Sequence, residues 1–168
     1  MVQDEFFEEL NDLDDFTINI FKNLIHLFEE IGATSGYTYN NKDALYNAHI
    51  YLPSPAGNGQ EKISLMELKS NGMIRVRCIR IIDRLRKYGL NTELAFHMFD
   101  EVSELLGIEK GVHQTRQLPT LDNIPVKKIR EKDAEFVKIM QNVAEKIIDL
   151  VAEKSRNRTH LTDGQETK

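Results

Sequence analysis

The chain of 168 residues has no tryptophan, one cysteine and four prolines. A lone cysteine cannot close an internal disulfide, which excludes a small disulfide-stapled scaffold. Cys78 sits in an apolar-patterned run, so it is expected to be a buried thiol rather than a reactive one. No apolar run approaches the roughly 18 residues that a membrane-spanning helix requires. The opening MVQDEFFEEL is acidic where a secretory signal is basic. A cytoplasmic protein without membrane contact is the expectation. Walker, GxGxxG, CxxC and GxSxG patterns are all missing, and no cofactor is expected.

What is present fits one compact domain. Hydrophobic content of 40% and charged content of 29% are ordinary for a globular chain. The formal net charge of −5 conceals an asymmetry: residues 1–45 carry ten acidic and two basic side chains, whereas residues 46–100 carry five acidic and eight basic. A net acidic chain is not a non-specific coat for nucleic acid, but the middle segment can form a local basic patch.

Periodicity orders the elements. Residues 4–13 and 16–31 read as helices, with Phe21, Leu24, Phe28 and Ile31 on one stripe, Asp14 or Asp15 as cap and Gly32 as stop. The acids at 4–15 form a solvated face or an acidic surface lying near the basic segment. Short strands are expected at 36–40 and 48–53, a helix-like stretch at KDALYN, and a loop at 54–59. Residues 63–67 and 73–81 read as strands joined around Ser70-Asn71-Gly72, where Asn-Gly predicts a type I′ turn. An amphipathic helix over 91–106 ends at Gly107, and a long helix runs to about Ser155. The predicted fold is α+β: a small antiparallel sheet with a central β-hairpin packed by helices. Residues 1–34 form an acidic helical segment, 35–155 the α+β domain and 156–168 a tail too polar to pack.

The chemistry-bearing residues are arginines. Arg75 and Arg77 alternate with Ile74 and Val76, so a strand places both on one face. Arg80 and Arg84 are four apart and share a face if a helix begins near residue 79. With Arg86 and Lys87 they can form one ridge, and guanidinium forks suit phosphate oxygens. The bland alternative is pairing with Glu67, Asp83, Glu93 or the acidic N-terminus. Glu67-Leu-Lys69 is half of a PD-(D/E)xK nuclease pattern, in which a carboxylate holds a metal and lysine helps activate water. The second acid is missing, since Asp43 alone lies between Glu30 and Glu61. Glu93, His97, Asp100, Glu101 and Glu104 share one helix face and read as solvated rather than metal-binding.

From Tyr51 onward a polar segment, the hairpin ISLMELKSNGMIRVRC, the helix ELAFHMFDEVSELLG, a proline-centred link and the helix DAEFVKIMQNVAEKI follow in order. This order resembles an accessory module of bacterial restriction-like and other defence-associated proteins, over roughly residues 35–150. The resemblance implies a recognition role and transfers no active site. The expected function is a non-catalytic binding module, its ridge contacting nucleic-acid phosphates or an acidic protein in a prokaryotic defence or restriction system. Two alternatives stand beside it. One is a metal-dependent nuclease using Glu67 and Lys69; the other is a helical oligomerisation or regulatory protein using residues 126–155, and a homodimer is among the expected partners.

Overall fold

A computed structural model shows how these segments assemble. It describes residues 1–52, 61–113 and 116–166, and the side chains of all of these except 113, 116 and 157–166. The loop expected at 54–59 lies outside the described residues. The fold is α+β. Helices α1 (Gln3–Glu8) and α2 (Asp15–Glu30) precede strands β1 (Thr34–Asn40), β2 (Asp43–Leu52), β3 (Glu61–Lys69) and β4 (Met73–Arg75). Helices α3 (Cys78–Lys87) and α4 (Glu93–Leu106) follow, then short strands β5 (Lys110–His113), β6 (Arg116–Pro119) and β7 (Ile124–Pro125). Helix α5 (Asp133–Glu166) comes last and enters the segment expected to stay unpacked. The main sheet is antiparallel in the order β1-β2-β3-β4-β7, and β5 pairs with β6 separately.

Alternation on β2 sets the two faces. Ala44, Tyr46, Ala48, Ile50 and Leu52 point into the core, while Asn47, His49 and Tyr51 point the other way. Strand β3 changes phase partway along. Ala48 pairs with Met66 but His49 pairs with Ser64, so Leu65 is an extra residue, a β-bulge. Leu65 and Met66 therefore both reach the core, and Ser64 and Glu67 both face outward. The core is one continuous cluster that also takes Phe6 and Leu10 from the N-terminal region, Phe21, Leu24 and Phe28 from α2, and Phe136, Met140 and Ile147 from α5. Phe6 lies among Tyr37 and Tyr46, with ring centroids 5.7 and 6.4 Å away. The acidic N-terminal helix thus sits on the core side of β2. Among the described residues, none of its carboxylates is paired with Arg75 to Lys87.

Three local expectations are corrected. The stretch KDALYN is strand rather than helix: Asp43 opens β2 directly after a tight turn in which Asn41 takes φ 59°. Alternating Ala44, Tyr46 and Ala48 bury against the core, and that period overrides helix propensity. The second arm of the hairpin is only three residues long, because Cys78, Ile81, Ile82 and Leu85 bury with a helical period. Cys78 is the buried thiol expected, on helix α3 rather than on a strand, and burial pushes its pKa up. The turn is not type I′, since Asn71 does not have positive φ. Lys69 C=O accepts from Gly72 N–H at 3.0 Å, Gly72 has φ 86°, and Asn71 Oδ1 accepts from Met73 N–H. This is a three-residue connection whose last residue is left-handed.

A Cβ at Gly72 would make ordinary contact with Leu13 at 3.5 Å, so the strain of a substitution comes from the backbone. Gly72→Val is expected to lose about 1–3 kcal/mol in denaturant unfolding. Wild-type stability in that variant would show that Gly72 does not hold this conformation.

Candidate basic face and polar sheet cleft

The bulge brings Glu67, 6% exposed, to the outward face of the sheet directly opposite Arg75. Arg75 Nε donates to Glu67 Oε2, and Arg77 Nε lies 3.5 Å from Oε1. Both carboxylate oxygens are thus engaged by guanidinium groups. A carboxylate this buried is tolerable only when paired. Arg75 Nη2 and Arg77 Nε are themselves closed to solvent without a hydrogen-bond acceptor. They leave unused donor capacity at the entrance to α3.

A second acid takes the far end of α3. Glu61 accepts from Arg84 at 2.5 Å, Lys87 at 2.6 Å and Tyr88 at 3.0 Å. Hydrogen bonds from Lys87, then Tyr88 and Arg84, hold the Glu61 carboxyl down at about 2. The expected ridge is therefore divided. Arg75 and Arg77 are committed to Glu67, one of the acids the pairing alternative names, and Arg84 and Lys87 to Glu61, which it does not name. Arg86 is exposed on α3 and has interactions of its own. Arg80 is exposed and has no ion-pair or hydrogen-bond partner among the described residues. It borders two clefts. One, of about 540 Å³, is lined by Arg75, Arg77, Ile79 and the link from Leu118 to Asn123. The other, of about 630 Å³, is lined by the outward sheet face with Lys62 and Arg84.

The sheet-face cleft contains a polar chain that the sequence reading did not single out. Asn47 Nδ2 donates to Ser64 Oγ at 2.6 Å, and Asn47 Oδ1 lies 2.8 Å from His49 Nδ1. His49 is 4% exposed and its Nε2 has no partner among the described residues. An unpaired buried acceptor of this kind costs about 1–3 kcal/mol. Burial, then the nearby Lys62 charge, lowers the His49 pKa and favours the neutral ring. Gly36 makes room for that ring, because a Cβ there would stand 3.3 Å from His49 Cε1. Tyr51, 44% exposed, meets His49 edge-on at 5.1 Å between ring centres. The signal for this group was the alternation Asn47, His49, Tyr51 between core residues. Reading KDALYN as helix hid half of it.

The remaining candidates have other work. Lys69 Nζ donates to Asn123 Oδ1 at 3.1 Å, so the Glu67–Lys69 pair expected of a nuclease is held by structural partners. Among the described residues, no group of three or more His, Cys, Asp or Glu side chains converges as metal ligands. On α4, Asp100 pairs with Lys110 at 2.8 Å. From the apolar stripe of α5, Phe136, Met140, Val143, Ile147 and Val151 pack into the core of this chain. No described helix is long and apolar enough to cross a membrane. Comparison of the chain with protein-family models, with curated proteins and with solved structures gives no match.

Two measurements check this division of charges. Glu67→Ala strands two partly buried arginines and is expected to cost about 3 kcal/mol in denaturant unfolding. Arg80→Gln is expected to change stability by less than about 0.5 kcal/mol. Equal losses would erase the distinction between paired and free arginines. The second check uses pH. A carboxyl lowered in the fold from 4.5 to about 2 stabilises fully above the higher value and loses that effect as pH falls through the lower. Thermal melts at low salt between these limits should fall less steeply for Glu61→Gln than for wild type.

Proposed function

We propose that the protein is a non-catalytic binding module that holds single-stranded nucleic acid against the outward sheet face and the start of α3. The observation that carries this reading is Arg80, an exposed unpaired guanidinium between two clefts, with Lys62, Arg75, Arg77 and Arg84 around it. Each of the two structural carboxylates on this face is met by two cations, so the face keeps a positive balance inside an acidic protein. The exposed Tyr51 ring supports a single strand over a duplex. A basic groove that tracks phosphates beside an aromatic ring on which a base stacks is the usual arrangement for single strands. The acidic helix on the other side of β2 leaves this face unobstructed by its own negative charge. The role in this reading is recognition within a bacterial defence system, which rests on the resemblance of the order of elements alone.

Fluorescence anisotropy with labelled single-stranded and duplex oligonucleotides, and with polyglutamate, tests the reading over a salt series. Wild type is expected to bind single strands with a salt slope that Arg80→Gln flattens by about 0.7. Tyr51→Ala is expected to weaken binding about tenfold, from the loss of one base stack. Lys146→Gln, an exposed cation on α5, serves as control. Binding to polyglutamate alone would point to an acidic protein partner. No binding to any polyanion, or an equal effect of the Lys146 control, would overturn the proposal.

A further inference from the structure

His49 presents a geometry that phosphate binding does not use. Its Nδ1 faces Asn47 Oδ1, because the Asn47 amide nitrogen is spent on Ser64. The proton therefore sits on Nδ1, and Nε2 is left as a bare lone pair. That nitrogen has no donor among the described residues and is closed to bulk water beside a cleft bordered by the cations of Arg80 and Lys62, so a ligand reaches it only when a covering side chain moves aside. A fully ionised phosphate carries no hydrogen and would meet the lone pair with like charge. The group that suits Nε2 is an N–H donor on a largely flat body. The cations beside it suit an anion a few ångströms away.

We propose that this cleft is a nucleotide subsite in which His49 Nε2 accepts a hydrogen bond from a nucleobase N–H while Arg80 and Lys62 hold the attached phosphate. This rests on the nucleic-acid reading and deepens it, from phosphate contact to recognition of a base edge. Ser64 Oγ accepts from Asn47, so its own hydroxyl hydrogen is free to meet a base acceptor next to the donor. A neighbouring donor and acceptor on one rigid, flat edge is what a nucleobase presents; ribose hydroxyls also donate and accept but on a puckered ring, which makes ribose 5-phosphate the control. Gly36 belongs to the same device, since any side chain there would press on the imidazole. The ligand enters past Lys62, a long exposed side chain whose charge already reaches the ring.

Nitrogen-15 NMR of histidine-labelled full-length protein reads the ring directly. At neutral pH the free protein is expected to show His49 protonated on Nδ1 and bare on Nε2. Adenosine or cytidine 5′-monophosphate should move the Nε2 resonance upfield, while ribose 5-phosphate and inorganic phosphate leave it in place. Arg80→Gln should weaken the nucleotide at least fivefold with the tautomer unchanged. His49→Phe should bind nucleotide no more tightly than ribose 5-phosphate; should that variant fail to fold, the wild-type ring signals decide the matter alone. Three results would each overturn the inference: Nε2 protonated in the free protein, a silent Nε2 at saturating nucleotide, or an equal response to ribose 5-phosphate. Salt-dependent oligonucleotide binding with a silent His49 would remove this subsite and leave the binding function standing. A His49 response to mononucleotide without any oligonucleotide binding would do the reverse.

Discussion

A carboxylate on a strand with almost no access to water must be met by positive charge, and Glu67 imposes that requirement on everything around it. Arg75 meets it from directly across the hairpin, and Arg77 from the residue that opens α3. One acid thereby couples strand pairing, the three-residue turn and the direction in which the chain leaves the sheet. Such a pair need not add net stability over an apolar equivalent; its effect is strongest on alternatives that separate the charges. A one-residue slip of β4 would leave Glu67 without its cross-strand partner, so the pair favours the observed register.

The same requirement sorts the arginines by role. Four cations that look equivalent along the sequence are divided by two acids, Glu67 at one end of the ridge and Glu61 at the other. The exposed guanidinium without an acid beside it among the described residues is Arg80. Specific recognition is plausible chemistry for such a face because few of its charges are loose. Held side chains lose little conformational freedom when a ligand arrives.

Much of the fold was legible because it depends on local period. The stripe Phe21, Leu24, Phe28 identifies α2, Asp14 caps it by accepting from Thr17 N–H, and Gly107 closes α4. The hairpin was visible from Asn71-Gly72, although the turn geometry was not. Asn-Gly fits more than one turn, and the register that chooses between them is set by pairing further along. Strand β2 was half misread because Ala44 and Leu45 suit a helix as well as a strand until β1 and β3 flank them. The candidate site was legible in its residue types and not in its arrangement. Arg80 and Glu67 stand out in the sequence. That Glu67 absorbs two arginines and that His49 lies over Gly36 are facts of tertiary pairing, for which a single sequence carries no period.

The extra residue at Leu65 has a consequence for how this chain can vary in length. Strand β3 carries its apolar residues outward of nothing: Ile63 and Leu65 face the core before the bulge, and Met66 and Leu68 after it. Deleting Leu65 would remove the extra residue and leave a regular alternation, with Ile63, Met66 and Leu68 inward and Ser64, Glu67 and Lys69 outward, at the loss of one buried side chain. Deleting Leu68 instead would turn Lys69 inward, because the alternation beyond the bulge has no residue to spare. Substitution at these positions alters one side chain, whereas a one-residue deletion outside the bulge turns over every residue beyond it. Within β3 the bulge is accordingly the place where one residue can be lost without turning a face over, and the alternation on either side of it fixes the length of the rest.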